Sequence, residues 1–145
     1  MRQINNALLL PYRPATHPDF GRMLVQDRRG HRPPPWGFFG GGIETGETSL
    51  QAVLRETWEE LGLRLNASDL QFGTEISGQL RDFQFGLHLY TWAYSGDLSE
   101  VVLGEGAGMD WLTPEGMLER VEVGGPDEAI CGWVRGFLRV MGSGK

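Results

Sequence analysis

Apolar positions recur along this chain with two periods, and the switches between them mark its elements. Residues 4–12 form an apolar run that Pro11 and Pro14 are expected to close, and residues 22–27 (RMLVQD) form a second, shorter run; both predict strands. Residues 83–94 (FQFGLHLYTWAY) are the longest β-type stretch. There Phe83, Phe85, Leu87, Leu89 and Thr91 alternate with Gln84, Gly86, His88, Tyr90 and Trp92, which is the period of a strand with two different faces. Residues 70–77 and 109–112 predict two more strands, with a turn over 78–82.

Elsewhere the period is 3.6. Leu50, Val53, Leu54, Thr57, Trp58 and Leu61 make one stripe of a helix. Thr48 with Gln51 is a capping-box pair, and Gly62 stands where a C′ glycine ends a helix. A second amphipathic helix is predicted over 127–141, with Ile130, Trp133, Val134, Phe137, Leu138 and Met141 on its stripe. Between them, Thr113 as N-cap and Pro114 at N1 open a short helix to about residue 121. Strands on both sides of a central helix, followed by a terminal helix, predict an α/β fold with a mixed sheet sandwiched by helices.

The stretch before the first helix is different in kind. Gly40, Gly41, Gly42 and Gly46 crowd it so closely that it is expected to be a loop without regular structure. On the helix itself, Glu56, Glu59 and Glu60 are spaced i, i+3, i+4 and share one face. Three like charges there destabilise a helix unless a cation neutralises them. A hard divalent ion such as Mg²⁺ or Mn²⁺ takes oxygen ligands and would turn that repulsion into coordination.

As a pattern the segment runs Gly41, five residues, Glu47, seven residues, then Arg55-Glu56-Thr57-Trp58-Glu59-Glu60-Leu61-Gly62-Leu63. This resembles the Nudix box of the Nudix hydrolase superfamily over all its positions, of the MutT-like kind. Every charged and glycine position is filled. Thr57 stands where the family has a bulky aliphatic, and Phe39 where it often has proline.

By length the chain is expected to be a single domain over residues 1–141 with 142–145 as a disordered tail, and the resemblance implies a Nudix-type α/β/α sandwich with a loop-helix-loop catalytic box. It implies Glu56, Glu59 and Glu60 as metal ligands, joined by the main-chain carbonyl of Gly40. Arg55 then orients the box glutamates through Glu47 or Glu59. Gly41, Glu47 and Gly62 are structural positions of the box. Glu105, between Gly104 and Gly106 and shortly before Trp111, resembles the later-loop glutamate that some members use as a further ligand or as general base. Outside the box, Arg28, Arg29 and Arg32 are either solvated loop charges or a reach toward a substrate phosphate. Trp36, Phe38 and Phe39 either stack a base or belong to the core. His17, His31 and His88 lack metal-ligand spacing.

Composition narrows the partners. The chain of 145 residues carries 19 acids against 13 Lys and Arg, a net charge of −6, which argues against a polymeric nucleic acid as partner. A small phosphorylated substrate is compatible, because metal ions bridge acidic groups and phosphates. No apolar run approaches a membrane span, the start is not a convincing signal peptide, and the single Cys131 fits a reducing, cytoplasmic setting. The apolar C-terminal helix and the 83–94 strand are the candidate surfaces for a homodimer.

Together these features predict a Mg²⁺- or Mn²⁺-dependent enzyme that cuts a phosphoanhydride in a nucleoside diphosphate linked to another moiety. A nucleoside triphosphate pyrophosphohydrolase releasing a nucleoside monophosphate and pyrophosphate leads. ADP-ribose or another nucleotide sugar and a dinucleoside polyphosphate are the alternatives. A non-catalytic nucleotide-sensing domain is expected to have lost box glutamates, and these are intact. An unrelated acidic helix leaves the glycines unexplained.

Overall fold

The computed structural model describes residues 2–27, 36–80, 82–96, 108–119 and 126–143. Its strands are β1 (Arg2–Tyr12), β2 (Met23–Asp27), β3 (Trp36–Gly37), β4 (Phe39–Gly42), β5 (Gln71–Leu80), β6 (Phe83–Ala93) and β7 (Gly108–Leu112). Its helices are α1 (Ser49–Leu61), α2 (Pro114–Leu118) and α3 (Pro126–Ser143). The strands join in one mixed sheet of order β3-β2-β1-β6-β5, with β4 also pairing β1 and β7 pairing β2. β1 and β6 run parallel from Arg2↔Phe83 to Tyr12↔Ala93, and the other pairs are antiparallel.

Both faces of the central strands are buried, which is why β1 reads as a continuous apolar run. Leu8, Leu10 and Tyr12 join Phe85, Leu87 and Leu89 on one face, under Ile130, Cys131, Val134 and Leu138 of α3 and Met117 of α2. Ala7, Leu9, Leu24 and Tyr90 lie on the other, under Ala52, Val53 and Leu61 of α1. The alternation expected for the 83–94 strand is thus real, and helices cover both sets. Burial holds the Cys131 thiol protonated, its pKa pushed up to about 12, so it is packing rather than chemistry.

Several expectations change. The glycine stretch is not irregular throughout: β3 and β4 are short strands, and Phe39 to Gly42 pair with Leu9 to Asn6. Glycine is needed within β4 because Gly40 has φ +127° and a Cβ there would run into the Ala7 carbonyl. Residues 78–80 belong to β5 rather than to a turn; Gly78 pairs with Phe85, whose ring leaves no room for a side chain. Pro11 does not close β1, since it falls between the stretch paired with β4 and the Tyr12↔Met23 contact with β2.

Trp58 leaves the buried stripe of α1, 46% exposed, with the Arg64 guanidinium 4.1 Å over its ring. α2 ends at Leu118, and α3 continues through Gly142 to Ser143, so part of the expected tail is helical. Most of the two candidate dimer surfaces is used inside the chain: β6 is paired on both edges, and the α3 stripe packs on the sheet up to Leu138, leaving Met141 exposed. No described helix is long and apolar enough to cross a membrane.

Candidate active site

The site is assembled by docking α1 against β4. The helix starts where the capping box predicts: the Thr48 hydroxyl accepts from Gln51 N at 3.1 Å and the Gln51 side chain accepts from Thr48 N at 2.9 Å. It ends at Gly62 in the left-handed region (φ 68°), whose N–H donates to the Trp58 carbonyl. Thr57 is fully buried in the place of an aliphatic, and its hydroxyl donates to the Val53 carbonyl at 2.7 Å, so no polar group is left unpaired. Buried Ala52, Val53, Thr57 and Leu61 face the sheet, which turns Arg55, Glu56 and Glu60 toward the glycines, with Glu59 outermost beside Arg55.

In the antiparallel ladder, backbone groups of alternate residues point toward and away from the partner strand. Gly40 and Gly42 are the two that turn away from β1. Gly40 N donates to Glu60 Oε1 at 2.6 Å, and the Gly42 carbonyl accepts from Arg55 Nη2 at 3.0 Å. Between them Gly41 makes room for Glu56: a Cβ there would lie 2.6 Å from Glu56 Oε1. A glycine backbone is therefore what lets the acidic helix face sit directly on the strand.

Arg55 is the hub. Its Nε and Nη2 fork onto the two oxygens of Glu47 at 2.8 and 3.0 Å, and Nη1 donates to Glu56 at 2.9 Å and more weakly to Glu59 at 3.4 Å. Both expected partners, Glu47 and Glu59, are thus engaged. Hydrogen bonding to Glu47, and then to Glu56, pushes the guanidinium pKa further upward. In return, Arg55 and the Glu44 N–H hold the Glu47 carboxyl at about 2 instead of the ordinary 4.5.

A depressed acid stabilises the fold above its unfolded pKa and loses that contribution as pH falls through its folded one. Stability from Glu47 is accordingly complete above 4.5 and lost toward about 2. Wild type should lose more thermal stability than Glu47→Gln across that window, measured as melting temperature against pH. Parallel curves would refute the assignment.

Glu60 accepts from Gly40 and, at 3.4 Å, from Gln26 Nε2, while the same amide nitrogen donates to the Phe38 carbonyl. Gln26 was not singled out in the sequence; a glutamine inside an apolar strand of five residues was the available signal. Glu44, 3.9 Å from Arg55, is a second addition. Phe38 and Phe39 are core, which decides against base stacking by either. His17 Nδ1 accepts from Asp19 N, and His88 lies opposite Glu75, so neither joins the site. Arg28, Arg29, Arg32, His31 and Glu105 lie outside the described residues, as does the side chain of Trp36.

Among the described residues, no three Asp, Glu, His or Cys side chains converge on a point where a metal would sit. The expected ligand set is on one face, but its members turn to different partners: Glu56 and Glu59 to Arg55, Glu60 to Gly40 and Gln26. The physical reason is compensation, since carboxylates on one helical face pair with whatever positive or N–H groups are in reach. The donor set is all oxygen, and the glycine cradle around Glu56 is of the kind that suits a hard divalent ion.

This fold and box define a class. A NUDIX domain model matches residues 7–130, and the chain belongs to the Nudix family. It is 46% identical over 50 residues to an RNA pyrophosphohydrolase of Psychrobacter cryohalolentis, covering 34% of this chain and 28% of that one. It is 29% identical over 86 residues to a CTP pyrophosphohydrolase of Escherichia coli, covering 58% and 59%. The matched stretch thus spans less than two thirds of either relative. The structure of the E. coli dihydroneopterin triphosphate pyrophosphohydrolase shares the fold, with TM-score 0.72 at 18% identity over 97% of this chain and 99% of that one.

Proposed function

We propose that this protein is a Mg²⁺- or Mn²⁺-dependent pyrophosphohydrolase of the MutT-like kind, cutting a nucleoside triphosphate to a nucleoside monophosphate and pyrophosphate. The observation that carries the reading is the acidic face of α1 seated on Gly40–Gly42 with Arg55 locked beneath it. The relatives named CTP and RNA pyrophosphohydrolase support the same bond, and the net charge of −6 favours a small nucleotide over a polymer.

Glu56 and Glu60, with Glu59 beside them, would hold the metal, helped by the Gly40 carbonyl. A bound divalent ion supplies positive charge to the diphosphate oxygens and to the attacking water. The residues of the chain do the positioning. Arg55 fixes the Glu56 rotamer and spans Glu47 and the Gly42 carbonyl, so the carboxylates keep one spacing relative to β4. Gln26 and Gly40 N orient Glu60.

Glu105 is assigned the proton of the attacking water or a further ligand position. Glu105→Gln separates these roles. Loss of kcat by roughly 10²–10⁴-fold with unchanged metal affinity marks the base; weakened metal affinity marks the ligand. No change in either would remove Glu105 from the site. The reading as a whole is tested by product analysis over a panel of nucleoside triphosphates, nucleotide sugars and dinucleoside polyphosphates. Monophosphate plus pyrophosphate from a triphosphate is expected. Preferential cleavage of ADP-ribose or a dinucleoside polyphosphate would replace the substrate while keeping the chemistry.

A further inference from the structure

At the far end of the sheet, on the α1 side, lies a cation that the active site does not use. Arg13 follows β1 and is only 7% exposed. Its guanidinium lies 3.8 Å from the ring centroid of Trp111, near the ring of Tyr94, which stacks on Trp92. Among the described residues its two hydrogen bonds run from Nη1, to the carbonyls of Tyr94 at 3.1 Å and Gly96 at 2.6 Å. Its Nε–H is buried without an acceptor, and so is the indole N–H of Trp111.

Among the described residues no carboxylate pairs with Arg13. A buried guanidinium whose described partners are two carbonyl dipoles and aromatic faces is unfavourable unless another charge completes it. Nη1 serves the protein. What remains is the Nε/Nη2 edge, the one that forks onto two oxygens of a carboxylate or phosphate. A second donor, the Trp111 N–H, stands in the same stack.

We propose that Arg13 and Trp111 form a binding site for a phosphate oxyanion. Its position ties it to the catalytic side of the sheet. Trp111 pairs with Leu24 in the β2–β7 ladder, and Gln26, the partner of Glu60, lies two residues on, about 7 Å along the strand. Arg22, exposed beside it, donates to the Trp111 carbonyl at 3.2 Å and adds a second positive charge at the rim. The phosphate is either a group of the substrate or free inorganic phosphate. The first option rests on the pyrophosphohydrolase reading; the site itself does not.

The test is an NMR titration of the full chain with inorganic phosphate, in EDTA and at constant ionic strength. The Arg13 Nε–H and Trp111 Nε1–H resonances are identified by their loss in Arg13→Gln and Trp111→Phe. Both are expected to shift together and saturate. Arg13→Gln should abolish binding, and Trp111→Phe, which keeps the ring, should weaken it about tenfold. If neither resonance responds, or if they only exchange with water, the donors serve a buried water and the site is refuted. Steady-state inhibition by phosphate then assigns the source. Competition with the substrate that is lost in Arg13→Gln places the substrate's own phosphate there; inhibition that is not competitive marks a separate ligand. An inactive protein that still shows the saturable shifts would refute the enzymatic reading and leave the anion site standing.

Discussion

Glu60→Gln is expected to reduce hydrolysis by roughly 10²–10³-fold or more, the scale at which loss of one preorganised electrostatic partner of the transition state is felt. The substitution keeps the shape of the side chain. An amide can still accept from Gly40 N, so the contact that seats α1 on β4 survives. What disappears is the negative charge that a divalent ion would meet. Melting temperature should therefore change little while kcat collapses. Near-normal turnover would remove Glu60 from the metal site, whatever the fold does.

Gly40→Ala is expected to act the other way, through the fold first. The residue has φ +127°, a conformation that L side chains rarely adopt and that carries strain of roughly 1–3 kcal/mol. Its new Cβ would also meet the Ala7 carbonyl and lie 2.8 Å from Leu8 Cα, both backbone that cannot step aside, adding overpacking of roughly 1–3 kcal/mol. Together these approach the whole stability of a typical domain at its lower end. A urea midpoint unchanged from wild type would show that β4 does not sit on β1 as described. Gly41→Ala makes a useful contrast, because its Cβ meets the movable carboxylate of Glu56 instead of backbone.

How much of this was legible beforehand depends on which signal each element carries. α1 announced itself at both ends, since capping chemistry is local and its hydrogen bonds are as the capping residues require. The two faces of β6 followed from a strict period of two. β4 was hidden because its glycines serve the site: they report close approach of backbone and carboxylate, which looks like loop chemistry in a sequence. Trp58 was misplaced because its stripe position suits burial, yet its ring lies half-exposed under the Arg64 guanidinium while Thr57 and Leu61 take the buried face. Gln26 offered only its polarity inside an apolar strand, and Arg13 offered no signal as a site residue. Their roles come from long-range partners, Glu60 for one and Tyr94, Gly96 and Trp111 for the other. Arg55 lay between these cases: the resemblance supplied its role, and the structure supplied the fork onto Glu47 that makes it a hub.

The carboxylates of α1 are proposed to hold a divalent ion that makes phosphoanhydride hydrolysis possible. The direct measurement is nucleotide hydrolysis by protein stripped with EDTA and then reconstituted with Mg²⁺ or Mn²⁺, run in parallel with Glu56→Gln. This metal role requires no turnover in EDTA, full recovery with metal in wild type, and no recovery in the variant at the same metal concentration. Turnover that persists in EDTA, or a Glu56→Gln protein that recovers like wild type, would contradict it.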